Sequence, residues 1–266
     1  MKKTIGFVLV IFIIGVALLF NLRSGISPVL TDGNLPETEA EVLDTFLQFK
    51  ASDIEKIIRE NERIRFEQFG GSTKKQIKDT LEKLSTGETT LRKVFSKTYF
   101  VGDSLMNGLE VYNILNPDRL VTQVSASLYH LSSNINKIIS ANPEVIIIHY
   151  GINMISTEKA DRDSFISQYT SLINQLKKAL PDSRIIISGL FPVDRTVATD
   201  ARFGQVDAYN KALITMCENL GVEFLDSTEM MKACTDYYGG DGIHLSAGFY
   251  SEKWLPFIVE SKGIIG

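Results

Sequence analysis

The sequence contains little histidine and little cysteine. Among 266 residues there are three histidines, His130, His149 and His244, and two cysteines, Cys217 and Cys234. No closely spaced pair of cysteines accompanies the histidines, so the spacing of a zinc site is missing. We therefore expect neither a metal nor a cofactor. Outside the cytoplasm the two cysteines could pair, but Cys217 lies on an apolar helical stripe and fits a buried free thiol at least as well.

An excess of positive charge is also missing. Lysine and arginine total 28 against 32 acidic residues, which gives a formal net charge of −4. The basic residues are scattered, apart from a cluster near Lys74 and Lys75. A nucleic-acid-binding protein usually carries a basic patch or stripe, so nucleic acid is not an expected partner. The composition, 44% hydrophobic and 23% charged, is ordinary for globular proteins and fits one or two domains.

One long run without charge lies near the start of the sequence. Lys2 and Lys3 precede 19 uncharged residues at 4–22, and Arg23 follows. As a helix this run is about 28 Å long, close to the hydrocarbon thickness of a bilayer. The preceding lysines favour a cytoplasmic N-terminus and a chain that continues outside. We predict a single-pass anchor over 1–23 that places the rest of the chain outside the cell; a cleaved signal peptide is the alternative.

The composition changes twice between this anchor and position 97. Residues 24–36 are rich in glycine, proline, asparagine and aspartate, which predicts a linker. Residues 37–96 are highly charged and place apolar residues at helical spacing, with glycine breaks at 70–71 and 87, which predicts a helical stem. The stem acts as a spacer or partner-binding hairpin, or else its helices pack on the main domain.

From 97 to 266 short β-branched runs alternate with amphipathic helical stretches. Five runs have strand character: "TYFVG", "RLVTQV", "EVIIIHYG", "SRIIISGL" and "GVEFLD". Residues 164–180 and 206–221 carry apolar stripes at helical spacing, and the second stretch ends on a glycine typical of a helix C-terminus. This alternation predicts a five-stranded parallel sheet of flavodoxin-like order, with helices on both faces.

Polar residues follow the predicted strands at the edge where ligands bind in such sheets. Ser104 follows the first strand, Ser125 the second and Asn153 the third, while Asp241 and His244 come after the fifth. Acyl transfer needs a nucleophile, an oxyanion donor, a base and an acid that orients it, and this set supplies them. Each residue alone has an ordinary explanation: Ser104 as a helix cap, for example, or Asn153 as a turn residue. Their occurrence together favours an active site.

Three motifs resemble blocks of the GDSL, or SGNH, hydrolase superfamily. "FVGDSL" resembles the first block, "YGIN" the third and "DGIHLS" the last, and the resemblance extends over residues 98–266. It implies a three-layer SGNH-hydrolase fold and a serine esterase that works without metal.

The resemblance also implies a role for each site residue. Ser104 is then the nucleophile, His244 accepts its proton and returns it to the leaving alcohol, and Asp241 orients the imidazole. The Ser104 N–H, the Ser125 N–H and the Asn153 side chain form the oxyanion hole.

Two positions depart from the family pattern. Ser125 stands where the second block usually has glycine, and its N–H donates only if serine accepts any positive φ that the site requires. Met154 follows Asn153 where the family often has aspartate, so we expect altered loop packing with the chemistry kept. His130 and His149 are interpreted as structural.

The expected protein is a membrane-anchored serine esterase of the cell exterior. Its expected substrates are acyl esters, above all acetyl esters, of small molecules, polysaccharide or cell-envelope material. Two alternatives remain open: an O-acyltransferase that uses the same site, and a non-catalytic binding or scaffold module.

Overall fold

A computed structural model of the protein describes residues 74–266. The predicted anchor at 1–23, the predicted linker at 24–36 and the first part of the predicted stem lie outside the described residues. Within 74–266, no helix combines the length and apolar character needed to cross a membrane.

Five parallel strands form one sheet. They are β1 (Thr98–Gly102), β2 (Leu120–Thr122), β3 (Val145–His149), β4 (Arg184–Ser188) and β5 (Glu223–Leu225). The strand order is β2-β1-β3-β4-β5, and Phe100 of β1 is paired with Leu120 on one side and Ile147 on the other. The predicted five-stranded parallel sheet of flavodoxin-like order is confirmed.

The helices and short turns of helix connect and cover these strands. The α-helices are α1 (Lys74–Thr86), α2 (Leu91–Val94), α3 (Ser104–Val111), α4 (Leu128–Ala141), α5 (Lys159–Ala179), α6 (Val206–Leu220), α7 (Thr228–Met231) and α8 (Leu255–Lys262). A π-helix at Phe249–Trp254 runs directly into α8, and 3₁₀ turns lie at Pro117–Arg119, Ala201–Gln205 and Thr235–Tyr237. Local signals set several ends: the Ser127 hydroxyl caps α4, and Gly221, at φ +61°, ends α6 as predicted.

The core lies on both faces of the sheet. One apolar cluster joins Ile146 and Ile148 to α4, α5 and α6, and the other joins Ile147 to α3, the π-helix and α8. Successive residues of a strand point to opposite faces, so a strand covered on both sides must be apolar throughout. This is why β3 and β4 are isoleucine-rich and fully buried, and it confirms the three-layer α/β fold.

The last part of the predicted stem packs against the second of these clusters. Ile77, Leu81 and Leu84 of α1 lie on one helical stripe and are half-buried against it. For residues 74–96 the structure therefore has helices packed on the α/β domain. The domain boundaries at 23, 36 and 96 stay predictions.

The two cysteines are free and buried. Cys217 belongs to the cluster on one face of the sheet and Cys234 to the cluster on the other. Burial raises the pKa of the Cys217 thiol to about 12, so it is neutral at physiological pH. The structure thus has the free thiols that the sequence allowed.

Candidate active site

A sharp strand-to-helix turn presents Ser104 at the carboxyl edge of the sheet. A Cβ atom added at Gly102 would lie 2.3 Å from the Met106 Cγ and 2.6 Å from the His149 carbonyl oxygen. Such distances are far inside van der Waals contact, so only glycine lets α3 start this close to β1 and β3. Ser104 is the first residue of α3 and is partly exposed.

The residue that caps α3 is Asp103. Its Oδ1 accepts a hydrogen bond from the Leu105 N–H at 3.0 Å. The interpretation of Ser104 as a helix cap is therefore wrong, because a neighbouring side chain already fills that role. The Ser104 hydroxyl instead forms a hydrogen bond with the His244 ring.

Ser104, His244 and Asp241 form a continuous hydrogen-bonded chain. The Ser104 Oγ lies 2.9 Å from the His244 Nε2, and the His244 Nδ1 lies 2.6 Å from the Asp241 Oδ2. An ionised carboxylate only accepts hydrogen bonds, so Nδ1 carries the proton and Nε2 is the acceptor for the serine hydroxyl. This is the arrangement in which a serine hydroxyl loses its proton to imidazole.

The ionisation of Asp241 matches this arrangement. Partial burial opposes the charge, but the hydrogen bond from the His244 ring and the N–H groups of Ile243 and His244, each 2.9 Å from Oδ1, outweigh it. Together they lower the pKa of Asp241 to about 2. The carboxyl group is therefore ionised throughout the neutral range.

The loop that carries Asp241 and His244 is fixed to the segment after β4. The Asp194 N–H donates to the Gly242 carbonyl oxygen at 2.8 Å, and the Tyr238 hydroxyl donates to the Pro192 carbonyl oxygen at 2.7 Å. Gly242 has φ +68°, and a Cβ atom there would lie 2.9 Å from the Asp194 carbonyl oxygen. His244 therefore reaches Ser104 from the β4 side of the sheet.

A tight turn at 123–126 approaches Ser104 from the β2 side. The Gln123 N–H donates to the Gly102 carbonyl oxygen at 3.2 Å, and the Ala126 N–H closes the turn onto the Gln123 carbonyl oxygen at 3.3 Å. The Asn153 Nδ2 donates to the Ala126 carbonyl oxygen at 2.9 Å. Ser125 lies in the middle of this turn with φ +58°. Serine thus adopts the left-handed conformation. This was the condition under which its N–H was expected to donate to the oxyanion.

Three hydrogen-bond donors remain available around Ser104. Across residues 74–266, the backbone N–H groups of Ser104 and Ser125 have no acceptor in the protein. The Asn153 amide uses one hydrogen on Ala126 and keeps a second. The structure joins Ser104, His244 and Asp241 by hydrogen bonds, and it ties Asn153 to the turn that contains Ser125. The roles of Ser125 and Asn153 as oxyanion donors stay predictions.

The comparison with known proteins agrees with this geometry. A model of the GDSL-like Lipase/Acylhydrolase family matches residues 100–251, which is more than half of the chain and includes the whole site. The chain belongs to this family. It is an ester-hydrolysing enzyme of the SGNH type. None of the curated proteins compared with it matches its sequence.

Two solved structures are similar to this acylhydrolase. A lipase/acylhydrolase from Enterococcus faecalis is 13% identical with a TM-score of 0.51, over 64% of this chain and 96% of that one. An acetylxylan esterase from Geobacillus stearothermophilus is 16% identical with a TM-score of 0.48, over 63% of this chain and 94% of that one. At 13% identity, the likeness to the Enterococcus faecalis structure concerns the fold alone.

Met154 connects the loop after β3 to α4 and α6 of the acylhydrolase. Its Sδ accepts the Leu128 N–H of α4 at 3.4 Å, and its carbonyl oxygen accepts the Tyr209 hydroxyl at 3.2 Å. A thioether is a weak acceptor for a helix N-terminal amide. Asn153 donates from the same loop to the Ala126 carbonyl oxygen. The altered loop packing expected from the departure at Met154 stays a prediction.

The two other histidines of the acylhydrolase are buried behind the site. The His130 Nδ1 lies 2.7 Å from the Tyr150 hydroxyl, and the His149 Nδ1 lies 3.2 Å from the Ser188 hydroxyl. Burial lowers the pKa of His149 to about 3, so its imidazole is neutral. Neither ring is hydrogen-bonded to Ser104, in keeping with their interpretation as structural.

A buried carboxyl group lies next to Ser104. The Asp103 side chain is fully buried, and its Oδ2 has no hydrogen-bond partner within residues 74–266. Burial raises the pKa of Asp103 to about 7, although the amide groups of Leu105 and Gly151 favour the carboxylate. The carboxyl group of Asp103 therefore holds its proton through most of the acidic range.

This burial predicts a distinct pH dependence of stability. The unfolded carboxyl group ionises near pH 3.9, whereas folded Asp103 holds its proton to about pH 7. The folded state thus binds more protons between these values, and its stability falls as pH rises through this window. We expect Asp103→Asn to remove this component, which is on the order of 4 kcal/mol.

Urea unfolding at pH 4 and pH 7.5 measures the effect. Asp226→Asn is the matched control, because Asp226 makes the same local bond, to the Thr228 N–H at 2.9 Å, but is exposed. The control should keep the wild-type pH dependence. Equal pH dependence in the wild type and Asp103→Asn would contradict the prediction.

Proposed function

We propose that this acylhydrolase is a serine esterase that removes acetyl groups from carbohydrate or cell-envelope substrates outside the cell. The observation that carries the proposal is the chain of hydrogen bonds from Asp241 through His244 to Ser104, at 2.6 and 2.9 Å. It leads to an acyl-enzyme on the serine.

In the first step the Ser104 Oγ attacks the ester carbonyl carbon and its proton passes to the His244 Nε2. The Asp241 carboxylate stabilises the imidazolium that results. The carbonyl oxygen becomes an oxyanion and accepts hydrogen bonds from the N–H groups of Ser104 and Ser125 and from the Asn153 side chain. Each such donor typically stabilises the transition state by about 3 to 4 kcal/mol.

In the second step the intermediate collapses and the bond between the carbonyl carbon and the alkoxy oxygen breaks. The leaving alcohol takes the proton from the His244 Nε2, and the acyl group stays on the Ser104 Oγ. Water then attacks this acyl-enzyme and gives a proton to the same nitrogen. The bond between the carbonyl carbon and the Ser104 Oγ breaks, and Oγ takes the proton from the His244 Nε2. Acetic acid leaves and ionises to acetate.

The exposure of the site residues supports a substrate in which the ester is a substituent on a large, polar molecule. The side chains of His244 and Asp241 are 50% and 49% exposed, and Asn153 and Ser125 are exposed as well. A site of this kind is accessible to an acetyl group that projects from a polysaccharide. The anchor predicted at 1–23, which keeps the domain outside the cell beside the envelope, supports the same substrate class.

Product analysis with the full-length protein in detergent tests this proposal. We expect free acetate from O-acetylated oligosaccharides and none from the same oligosaccharides after saponification. An unacetylated oligosaccharide added as acceptor should remain unmodified. Transfer of most acetyl groups to the acceptor would instead establish an O-acyltransferase. A protein that neither releases acetate nor reacts with a fluorophosphonate would be a binding module.

A further inference from the structure

A buried tyrosine connects the helix that carries Ser104 to the segment that follows His244. The Tyr250 hydroxyl donates a hydrogen bond to the Leu105 carbonyl oxygen of α3 at 2.6 Å, and the Tyr250 side chain is buried. Burial raises the pKa of Tyr250 above its usual value, so the hydroxyl keeps its proton for this bond. Leu105 directly follows Ser104, and Tyr250 lies six residues after His244.

The glycine at position 108 makes this approach possible. Gly108 lies inside α3, where glycine is less favourable than alanine. A Cβ atom there would lie 2.6 Å from both the Cζ atom and the hydroxyl oxygen of Tyr250. Both distances are far inside van der Waals contact, so only glycine lets the tyrosine reach the Leu105 carbonyl oxygen. An unfavourable helix residue thus stands where the Tyr250 ring meets α3.

The π-helix at Phe249–Trp254 carries Tyr250. A π-helix closes each hydrogen bond one residue later than an α-helix, and such turns are frequent at functional sites. Within it the Tyr250 ring packs against Phe249 and Trp254, at ring distances of 5.3 and 6.4 Å. The ring is therefore held by its own segment, and its hydroxyl attaches that segment to α3.

Within residues 74–266, two hydrogen bonds join α3 to the chain after position 240. One is the bond between Ser104 and His244, and the other is the bond from Tyr250 to Leu105. The His244 side chain is half exposed, and Asp241, which orients its ring, belongs to the same loop. Asp241 can therefore set the direction of the ring, but it cannot set the distance between that loop and α3.

We propose that Tyr250 is a positioning residue that sets the separation of the Ser104 Oγ and the His244 Nε2. Its bond to Leu105 holds the start of α3 against the segment that continues from His244. His244 accepts and returns a proton in both acylation and deacylation, so a displaced ring slows both steps. This inference rests on the proposed function, with Ser104 as nucleophile and His244 as base.

Tyr250→Phe in the full-length protein tests the inference, because it removes the hydroxyl group and keeps the ring. We expect kcat for p-nitrophenyl acetate to fall about tenfold, since a displacement of about 1 Å can cost about 100-fold. KM should stay within about twofold of wild type, because acylation and deacylation slow together. The rate of labelling by a fluorophosphonate should fall with kcat, since it needs the same serine and base.

Gly108→Ala acts on the same contact from the side of α3. Its methyl group collides with the Tyr250 ring and displaces the hydroxyl, so kcat should fall as in Tyr250→Phe. The double variant should lose no more than the more affected single variant, because both changes remove one hydrogen bond.

Two control variants separate positioning from a general loss of stability. Tyr237→Phe removes a hydroxyl that bonds to Glu252 on the exposed side of the same π-helix, at 3.2 Å. Ile258→Val opens a small cavity in the apolar cluster that contains Tyr250, and its melting temperature should fall about as much as that of Tyr250→Phe. Both controls should keep the wild-type kcat.

The outcomes separate this inference from the proposed function. Wild-type kcat in Tyr250→Phe, a raised KM with unchanged kcat, or an equal loss of kcat in Ile258→Val overturns the positioning role while hydrolysis still depends on Ser104. Losses that multiply in the double variant overturn it as well. A wild type that does not hydrolyse the ester, or a Ser104→Ala variant that still does, overturns the esterase and this inference with it.

Discussion

Replacement of Ser104 by alanine is expected to lower kcat for p-nitrophenyl acetate by at least about 10⁴-fold, because the acyl group loses the atom to which it transfers. The oxyanion donors and the substrate contacts remain, so a small rate above that of water persists. Stability should hardly change, since the helix cap is the Asp103 side chain and the Ser104 hydroxyl bonds only to the exposed His244 ring.

The same variant should lose covalent labelling by a fluorophosphonate. Ser133→Ala is a suitable control, because the Ser133 hydroxyl donates only within α4, to the His130 carbonyl oxygen at 3.0 Å. It should label and turn over like the wild type. Persistent labelling of Ser104→Ala, or activity above about one hundredth of wild type, would show that another residue is the nucleophile.

The second large effect is expected for Asp241→Asn, with a loss of about 10⁴-fold in kcat. An asparagine amide can donate to the His244 Nδ1, which then favours the tautomer with the proton on Nε2. That nitrogen can no longer accept the Ser104 proton at 2.9 Å. The pKa of Asp241 is about 2, so the ionisation of this carboxyl group contributes no pH dependence to the defect between pH 6 and pH 9.

Asp194→Asn is the matched control for this variant. Its carboxylate lies on the neighbouring loop and bonds to the N–H and hydroxyl of Thr196, at 2.9 and 2.6 Å. We expect its kcat to stay within about threefold of wild type, as for most substitutions away from reacting groups. A loss below about tenfold in Asp241→Asn would mean that His244 is oriented by other contacts.

The sheet was predictable because its strands are buried on both faces. An isoleucine run such as that in β3 is typical of a strand that is covered on both faces. Gly221 was a signal of a helix end because glycine readily adopts the left-handed conformation found there. The pairing of Asp241 with His244 was predictable because the two residues are three positions apart in one loop. Both belong to the motif "DGIHLS", which resembles the last block of the family.

The C-terminal helices were not among the predicted elements. Residues 249–262 carry apolar side chains on several sides, and Pro256 usually marks a helix boundary rather than an interior. Here it stands in the first turn of α8, directly after the π-helix. The packing of Phe249 and Trp254 on Phe191, at ring distances of 5.5 Å, depends on residues distant in sequence.

Two features of the site also depended on tertiary structure. The burial of Asp103 results from the approach of β3 and α3, which no local pattern specifies. The positive φ of Ser125 results from the anchoring of its turn to Gly102 and Asn153. The sequence carries no local signal for the burial of Asp103. For Ser125, the signal was the glycine that the family usually has at this position.

The hydrogen bond from the Asn153 side chain to the Ala126 carbonyl oxygen holds the oxyanion donors in place before the substrate binds. It joins the ends of β2 and β3 above β1, so the Ser125 N–H and the Asn153 amide are held at a fixed spacing before any ester arrives. In the proposed mechanism this hole is preorganised: its dipoles already point to where negative charge will develop. Little reorganisation energy then remains for the transition state itself.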